Sequence, residues 1–288
     1  MARSLVFAST ALMCLALNAQ SLPAAGLDEP LRVCADPDNL PLSNRRGEGY
    51  ENKLAEALAR DLRRSVEYTF FPQRMGFVRN TLKKQDGERR FKCDVIIGVP
   101  QGYELTATTR PYMRSTYALV FARGEKFANL DTAQDLLNLP AETLRALRIG
   151  VFGYSPGADW LLRHDLLERA VVYSPQSGDP AENPAHTVER DLEAGKIDVA
   201  ILWGPMAGFL AREHSQWRVA PFAPDPKIKF DFAIAMGVRF GEKAWQSTLD
   251  EWIAAHPSRI DAILTGFRIP LLNADGTLRA DTRFIAPQ

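Results

Sequence analysis

Gly153-Tyr154-Ser155-Pro156-Gly157 fits the pattern G-x-S-x-G, in which an exposed serine hydroxyl attacks an acyl carbon. That chemistry uses the backbone N–H of the residue after the serine to hold the oxyanion. Here that residue is Pro156, which has none. Ser155 reads instead as the N-cap of a helix starting at Pro156, whose next free N–H groups would suit an anion. A secreted hydrolase built on Ser155 is therefore the least supported functional class, and no catalytic residue is assigned. The histidines His164, His186, His214 and His256 show neither HExxH spacing nor a CxxC partner, so no metal site is expected. Residues 47–52, Gly-Glu-Gly-Tyr-Glu-Asn, lack the third glycine of a dinucleotide turn, and no GxxxxGK[ST] occurs. No cofactor is expected.

The remaining candidates are suited to holding rather than to reacting. Arg74 and Arg79 follow the strand-ending Phe70-Phe71-Pro72; they are either solvated or contact an anion or a partner. Trp203 closes the apolar run 197–203 before Gly204-Pro205, and is either core or a contact. Tyr103 and Tyr154 stand in loops after apolar runs. Arg74, Tyr103, Tyr154, Ser155 and Trp203 are thus the candidate ligand or partner contacts, provided that their loops share one cleft.

Short apolar runs alternate with helical patterns in a way that would build such a cleft. Residues 31–35 read as a strand, and Leu54, Leu58 and Leu62 then mark one helix face. Strand 66–71, a helix over about 75–84 and strand 93–99 complete a βαβαβ series, hence a parallel sheet covered by helices. Strand 115–123 leaves this unit. Strands 147–152, 170–174 and 197–203, with helices over 158–169 and 186–194, make a second series. The proline-rich stretch 221–230 crosses back to strand 231–238, and helices near 241–255 and 258–267 end the chain. The expected fold is α/β with two lobes: a discontinuous lobe of 27–122 plus 223–288, and a second of 123–222. Ligands bind beyond the carboxyl ends of parallel strands, here the loops 36–44, 72–79, 99–104, 153–157 and 203–206.

Composition and targeting narrow the class. With 46% hydrophobic and 24% charged residues the 288-residue chain is an ordinary globular one, not a disordered or fibrous one. Lys+Arg and Asp+Glu both number 35, so the basic excess that a nucleic-acid partner selects is absent. Arg3, the apolar stretch Leu5–Leu17 and the small residues up to Gly26 read as a cleavable signal peptide over 1–26, too short in its apolar part to span a bilayer. The mature protein is expected to be exported and soluble, without a membrane span. After cleavage two cysteines remain, Cys34 and Cys93; in an oxidising compartment they form a disulfide or stay two small buried residues. If the third strand lies beside the first, the two become neighbours, which permits the bridge.

On these residues the chain resembles a known group. Its two-lobe pattern is similar to the type II periplasmic binding fold of ABC-transporter solute receptors. Residues 31–44, 49–59, 70–82, 93–121 and 195–208 resemble one branch, the quinoprotein dehydrogenase-associated substrate-binding-like proteins of MoxJ/XoxJ type. The resemblance implies lobes of mostly parallel sheet flanked by helices, joined by two hinge crossings. It also implies a non-enzymatic accessory role toward a PQQ-dependent alcohol (methanol) dehydrogenase, and toward its cytochrome c as a further partner. The alternative is an ABC-transporter receptor for a small solute. Amino-acid receptors carry an arginine about ten residues before a Pro-Tyr pair to grip the ligand carboxylate; counting back from Tyr112 lands on Gly102. Arg110 and Arg114 flank Pro111-Tyr112 but stand elsewhere in the pattern, so a free amino acid is a poor ligand. A partner segment or an unidentified small molecule fits better.

Overall fold

The computed structural model describes residues 29–175 and 183–282; the expected signal peptide over 1–26 lies outside them. In chain order the strands and helices are β1 (Leu31–Ala35), β2 (Asp38–Asn39), β3 (Ser43–Asn44), α1 (Tyr50–Asp61), β4 (Val66–Phe70), α2 (Phe77–Asn80), β5 (Val95–Pro100) and β6 (Ala107–Ala122). There follow α3 (Ala141–Ala146), β7 (Ile149–Phe152), α4 (Pro156–Arg163), β8 (Ala170–Tyr173), α5 (Pro184–Glu193) and β9 (Val199–Trp203). The chain closes with α6 (Gly204–Glu213), β10 (Trp217–Pro221), β11 (Asp231–Val238), α7 (Lys243–Ala255) and α8 (Pro257–Gly266).

All strands but β2 and β3 form one continuous sheet in two halves that share β6. The first sheet runs β4-β1-β5-β11-β6, with β1 parallel to both neighbours and β11 antiparallel to β5 and β6. The second runs β6-β9-β7-β8, with β7 parallel to β8 and β9, and β10 on the other edge of β6. β6 belongs to both: Ala107–Thr116 pair with β11, and Tyr117–Ala122 pair with β9 and β10. One core gathers Leu54 and Leu58 of α1 with Val95, Met236 and Leu264. Another gathers Leu119, Phe121, Trp160, Ile201 and Phe230. Residues 117–122, grouped with the first lobe by the sequence division, thus pack in the second half, as do Ile228 and Phe230.

Several boundaries differ from expectation, each for a local reason. β6 begins at Ala107 rather than Ser115 because Pro111 sits at a register shift against β11, where its missing N–H breaks no ladder bond. The helix expected over 75–84 shrinks to four residues: Gly76 caps it in a left-handed conformation, and Thr81 leaves helical geometry at φ −119°, ψ −87°. β10 was not expected at all. Its five residues carry an arginine and end in proline, a pattern that reads as loop. Gly204 and Gly208, one turn apart on α6, let that helix lie flush: a Cβ at Gly204 would stand 2.2 Å from Thr116 O, and one at Gly208 1.9 Å from Arg268 O.

Cys34 and Cys93 are joined as a disulfide, with Cα atoms 5.4 Å apart. The β4-β1-β5 order brings them together, since Cys34 of β1 lies opposite Ile96 of β5. Both cysteines are buried among Phe77, Val78, Leu82, Ile96 and Val99.

Candidate functional site

A cavity of about 350 Å³ lies between the carboxyl ends of the two sheets. From the first half come Asp36 and Asp38 after β1, and Gln73 and Arg74 after β4. From the second come Phe152, Tyr154 and Ser155 after β7, Asn183 and Ala185 at the start of α5, and Met206 on α6. Tyr117, on the shared strand, forms the floor. Apart from Tyr117, in the middle of the antiparallel β6, the contributors follow the ends of parallel strands, which is why the topology converges them.

The first-half wall is acidic and tightly tied. Asp36 accepts hydrogen bonds from the backbone N–H groups of Asp38 (2.9 Å) and Gln73, joining the loops after β1 and β4. Burial pushes the Asp36 carboxyl above its usual value, against those two N–H groups and the nearby Arg74 charge. Behind it, Glu51 in the first turn of α1 is almost wholly buried. Its pKa is pushed up to about 8 by burial and then by Asp36, and its Oε1 has no hydrogen-bond partner.

On the second-half wall the Ser155 hydroxyl donates to Phe152 O (2.6 Å) and accepts from Ala158 N–H (3.3 Å). Its proton therefore goes to a carbonyl rather than to a base, and the helix starts at Pro156 as expected. The positive φ of this turn falls on Tyr154 (57°), not on the serine. That conformation turns the Tyr154 side chain outward, where it is fully exposed at the lip of the cavity. Ser155 is thus a helix cap and Tyr154 a projecting aromatic.

Among the described residues a hydrogen bond from Asn183 joins the two walls. Asn183 caps α5 by accepting from Ala185 N–H (2.9 Å), and its Nδ2 donates across the cavity to Asp38 O (2.9 Å). Asn183→Asp keeps the cap acceptor but removes the donor. It is expected to weaken closure by about 1 kcal/mol, roughly fivefold in the closed-to-open ratio. Small-angle scattering of wild type and variant checks it; an unchanged radius of gyration would show that the bond holds nothing shut.

Of the five sequence candidates, Arg74, Tyr154 and Ser155 line this cavity, and Tyr103 and Trp203 do not. Tyr103 follows the left-handed Gly102 in a turn closed by its own N–H to Pro100 O (3.0 Å), and packs against the disulfide cluster. Trp203 packs its ring on Tyr117 (5.5 Å) and Phe232 (5.9 Å), where the two crossing segments meet. The loop 99–104 is accordingly not part of the lining, whereas 36–44, 72–79, 153–157 and 203–206 contribute. Asp36, Tyr117 and Asn183 went unpicked. The Asn183-Pro184 pair is a helix-start signal that spacing rules would have found. Neither Arg110 nor Arg114 replaces the missing carboxylate clamp: Arg110 is exposed, and the Arg114 guanidinium donates to Asp231 (2.6 Å). Among the described residues no helix is long and apolar enough to cross a membrane.

Comparison with known proteins places this geometry. No family model matches the chain. Protein MoxJ of Paracoccus denitrificans is 27% identical over 269 residues, which span 87% of this chain and 92% of MoxJ. The crystal structure of periplasmic binding protein XoxJ from Methylobacterium extorquens AM1 is similar at 35% identity with a TM-score of 0.67, over 84% of this chain and 99% of XoxJ. MxaJ from Methlophaga aminisulfidivorans MPT shares the fold, with a TM-score of 0.66 at 24% identity over 84% of this chain and all (100%) of its own.

Proposed function

The chain belongs to the MoxJ/XoxJ-type periplasmic binding proteins, and from that premise we propose that it is an accessory protein without enzymatic activity for a PQQ-dependent alcohol dehydrogenase. It is exported to the periplasm by the leader over 1–26, and there holds a segment of the dehydrogenase in the interlobe cleft during maturation, activation or docking. A cytochrome c that serves the same enzyme is a further partner. The lobes hinge where the crossing segments change neighbours, at Thr116/Tyr117 and Phe230/Asp231, so the second lobe is wider than the 123–222 read from the sequence.

The observation that carries this reading is the fully exposed Tyr154, held outward at the cavity lip by its own backbone. Exposing a large aromatic ring to water is unfavourable unless a partner covers it, and such rings are the usual anchors of protein interfaces. Ser155, beside it, has its hydroxyl engaged in the cap and so supports holding rather than hydrolysis. Tyr154→Ala is expected to weaken capture of the cognate dehydrogenase at least tenfold, about 1.4 kcal/mol, without altering the melting temperature. Surface plasmon resonance with the immobilised dehydrogenase, in apo and PQQ-loaded forms, measures it. Absence of wild-type binding to either form at tens of micromolar, or an undiminished Tyr154→Ala signal, would defeat the reading.

The transport alternative has one observation in its favour: a cavity of about 350 Å³ bearing Asp36, Asp38 and Arg74 is of small-solute size. A solute at a hundred times its Kd would add about 2.7 kcal/mol to stability. A thermal-shift screen of periplasmic metabolites therefore separates the two, since a transport receptor answers one of them strongly.

A further inference from the structure

A second cavity, of about 400 Å³, shares no lining residue with the cleft. β10, the returning crossing and the segment 270–282 enclose it, and its walls are mainly apolar, formed by Val219, Phe222, Pro224, Leu272 and Leu278. Arg218 of β10 also lines it. The Arg218 Nε is shut off from solvent and has no hydrogen-bond partner, and among the described residues its guanidinium meets no carboxylate. The other polar side chains of the lining are committed elsewhere. Thr132 donates to Asp135, Thr277 to Asp275, and Thr282 to Leu271 O, while Asp131 stands exposed at the rim.

Arg218 as a whole is half-buried, but its Nε–H is shut off from water without an acceptor, which is costly and is relieved where a ligand supplies one. The planar fork of a guanidinium matches a carboxylate through paired N–H bonds. The walls around it exclude a ligand that is polar throughout. We propose that this cavity binds a small carboxylic acid with an apolar body: the carboxylate sits on Arg218, and the hydrocarbon part lies against Phe222, Leu272 and Leu278. The site is independent of the accessory role argued for the cleft, so it stands whether or not the dehydrogenase binds.

Octanoate and octan-1-ol, which share a chain and differ in the charged head, are the probes for isothermal titration calorimetry. Octanoate is expected to bind the wild-type protein at one site, at least tenfold more tightly than octan-1-ol. Arg218→Gln should weaken octanoate at least tenfold. Leu278→Trp, which fills the apolar part and leaves the guanidinium in place, should do the same, whereas Asn183→Asp in the cleft should change nothing. No octanoate binding at millimolar concentration, equal affinity for the alcohol, or full retention in Leu278→Trp would overturn the assignment. The last two readouts decide the matter even if Arg218→Gln fails to fold.

Discussion

Glu51→Gln is expected to abolish a loss of stability of roughly 3 kcal/mol that the wild-type protein undergoes between pH 5 and pH 8. The carboxyl lies in the first turn of α1, buried, with Oε1 unpartnered and its pKa pushed from the usual 4.5 up to about 8. The largest cause is burial and the next is the Asp36 charge; Tyr50 and Tyr112, also buried, supply no compensating positive charge. The folded state therefore keeps a proton that the unfolded chain releases above pH 4.5. By linkage the resulting stabilisation is complete below pH 4.5 and falls by about 1.4 kcal/mol per pH unit until the folded carboxyl itself titrates near 8. The carboxylates whose values are lowered by partners, such as Asp61 and Asp281, act in the opposite sense. They do so near and below 3.8; Asp36, raised by burial, adds to the loss in the same sense as Glu51, and the comparison with Glu51→Gln isolates the part owed to Glu51. Glutamine has the shape and neutrality of the protonated acid and does not titrate. Urea unfolding at pH 5, 6, 7 and 8 checks this: the variant should gain on the wild type as pH rises, and parallel profiles would refute it.

Reduction of the Cys34–Cys93 bridge is expected to cost roughly 4 kcal/mol, the chain-entropy value for a loop closed over 59 residues, and to lower the melting temperature by about 10 °C. Most of the effect should lie in the unfolded chain, because the folded ends are held independently. Cys34 is a ladder residue of β1, and Cys93 O accepts from the Arg239 guanidinium, which also binds Asp94 (3.0 Å). The reduced protein should thus keep its native spectrum while unfolding at lower urea with a steeper slope. Equilibrium unfolding with and without dithiothreitol measures it, and a difference below about 1 kcal/mol would mean that the reduced chain is already constrained.

Both lobes were legible because apolar periodicity reports burial, and burial decides the parallel strands. Strand 231–238 and the Leu54–Leu58–Leu62 face appear where the pattern puts them, and the inferred neighbourhood of the first and third strands brings the cysteines together. What failed was information that spacing does not carry. The polar, proline-bearing start of β6 reads as loop because alternation is lost at its register shift, although the ladder continues past it. β10 is an edge strand whose partner lies about a hundred residues earlier in the chain, a contact invisible to local propensity. Among the site candidates, strand-end position brings Arg74, Tyr154 and Ser155 to the cavity lining. Tyr103 and Trp203 stand outside that lining because the direction of a side chain leaving a turn depends on which neighbour offers packing. For Trp203 that neighbour is the aromatic pair on the crossing segments, and for Tyr103 the disulfide cluster.

The insertion of β11 between β5 and β6 means that the first sheet is complete only after residue 238 has been added to a growing chain. Residues 117–230, contiguous in the chain, close their own core as soon as they are out. The amino-terminal strands must wait, since the flank of Val95–Pro100 stays bare until Asp231–Val238 arrives. Until it does, Val95, Ile96 and Ile97 form an unpaired apolar edge of the kind that associates with other chains.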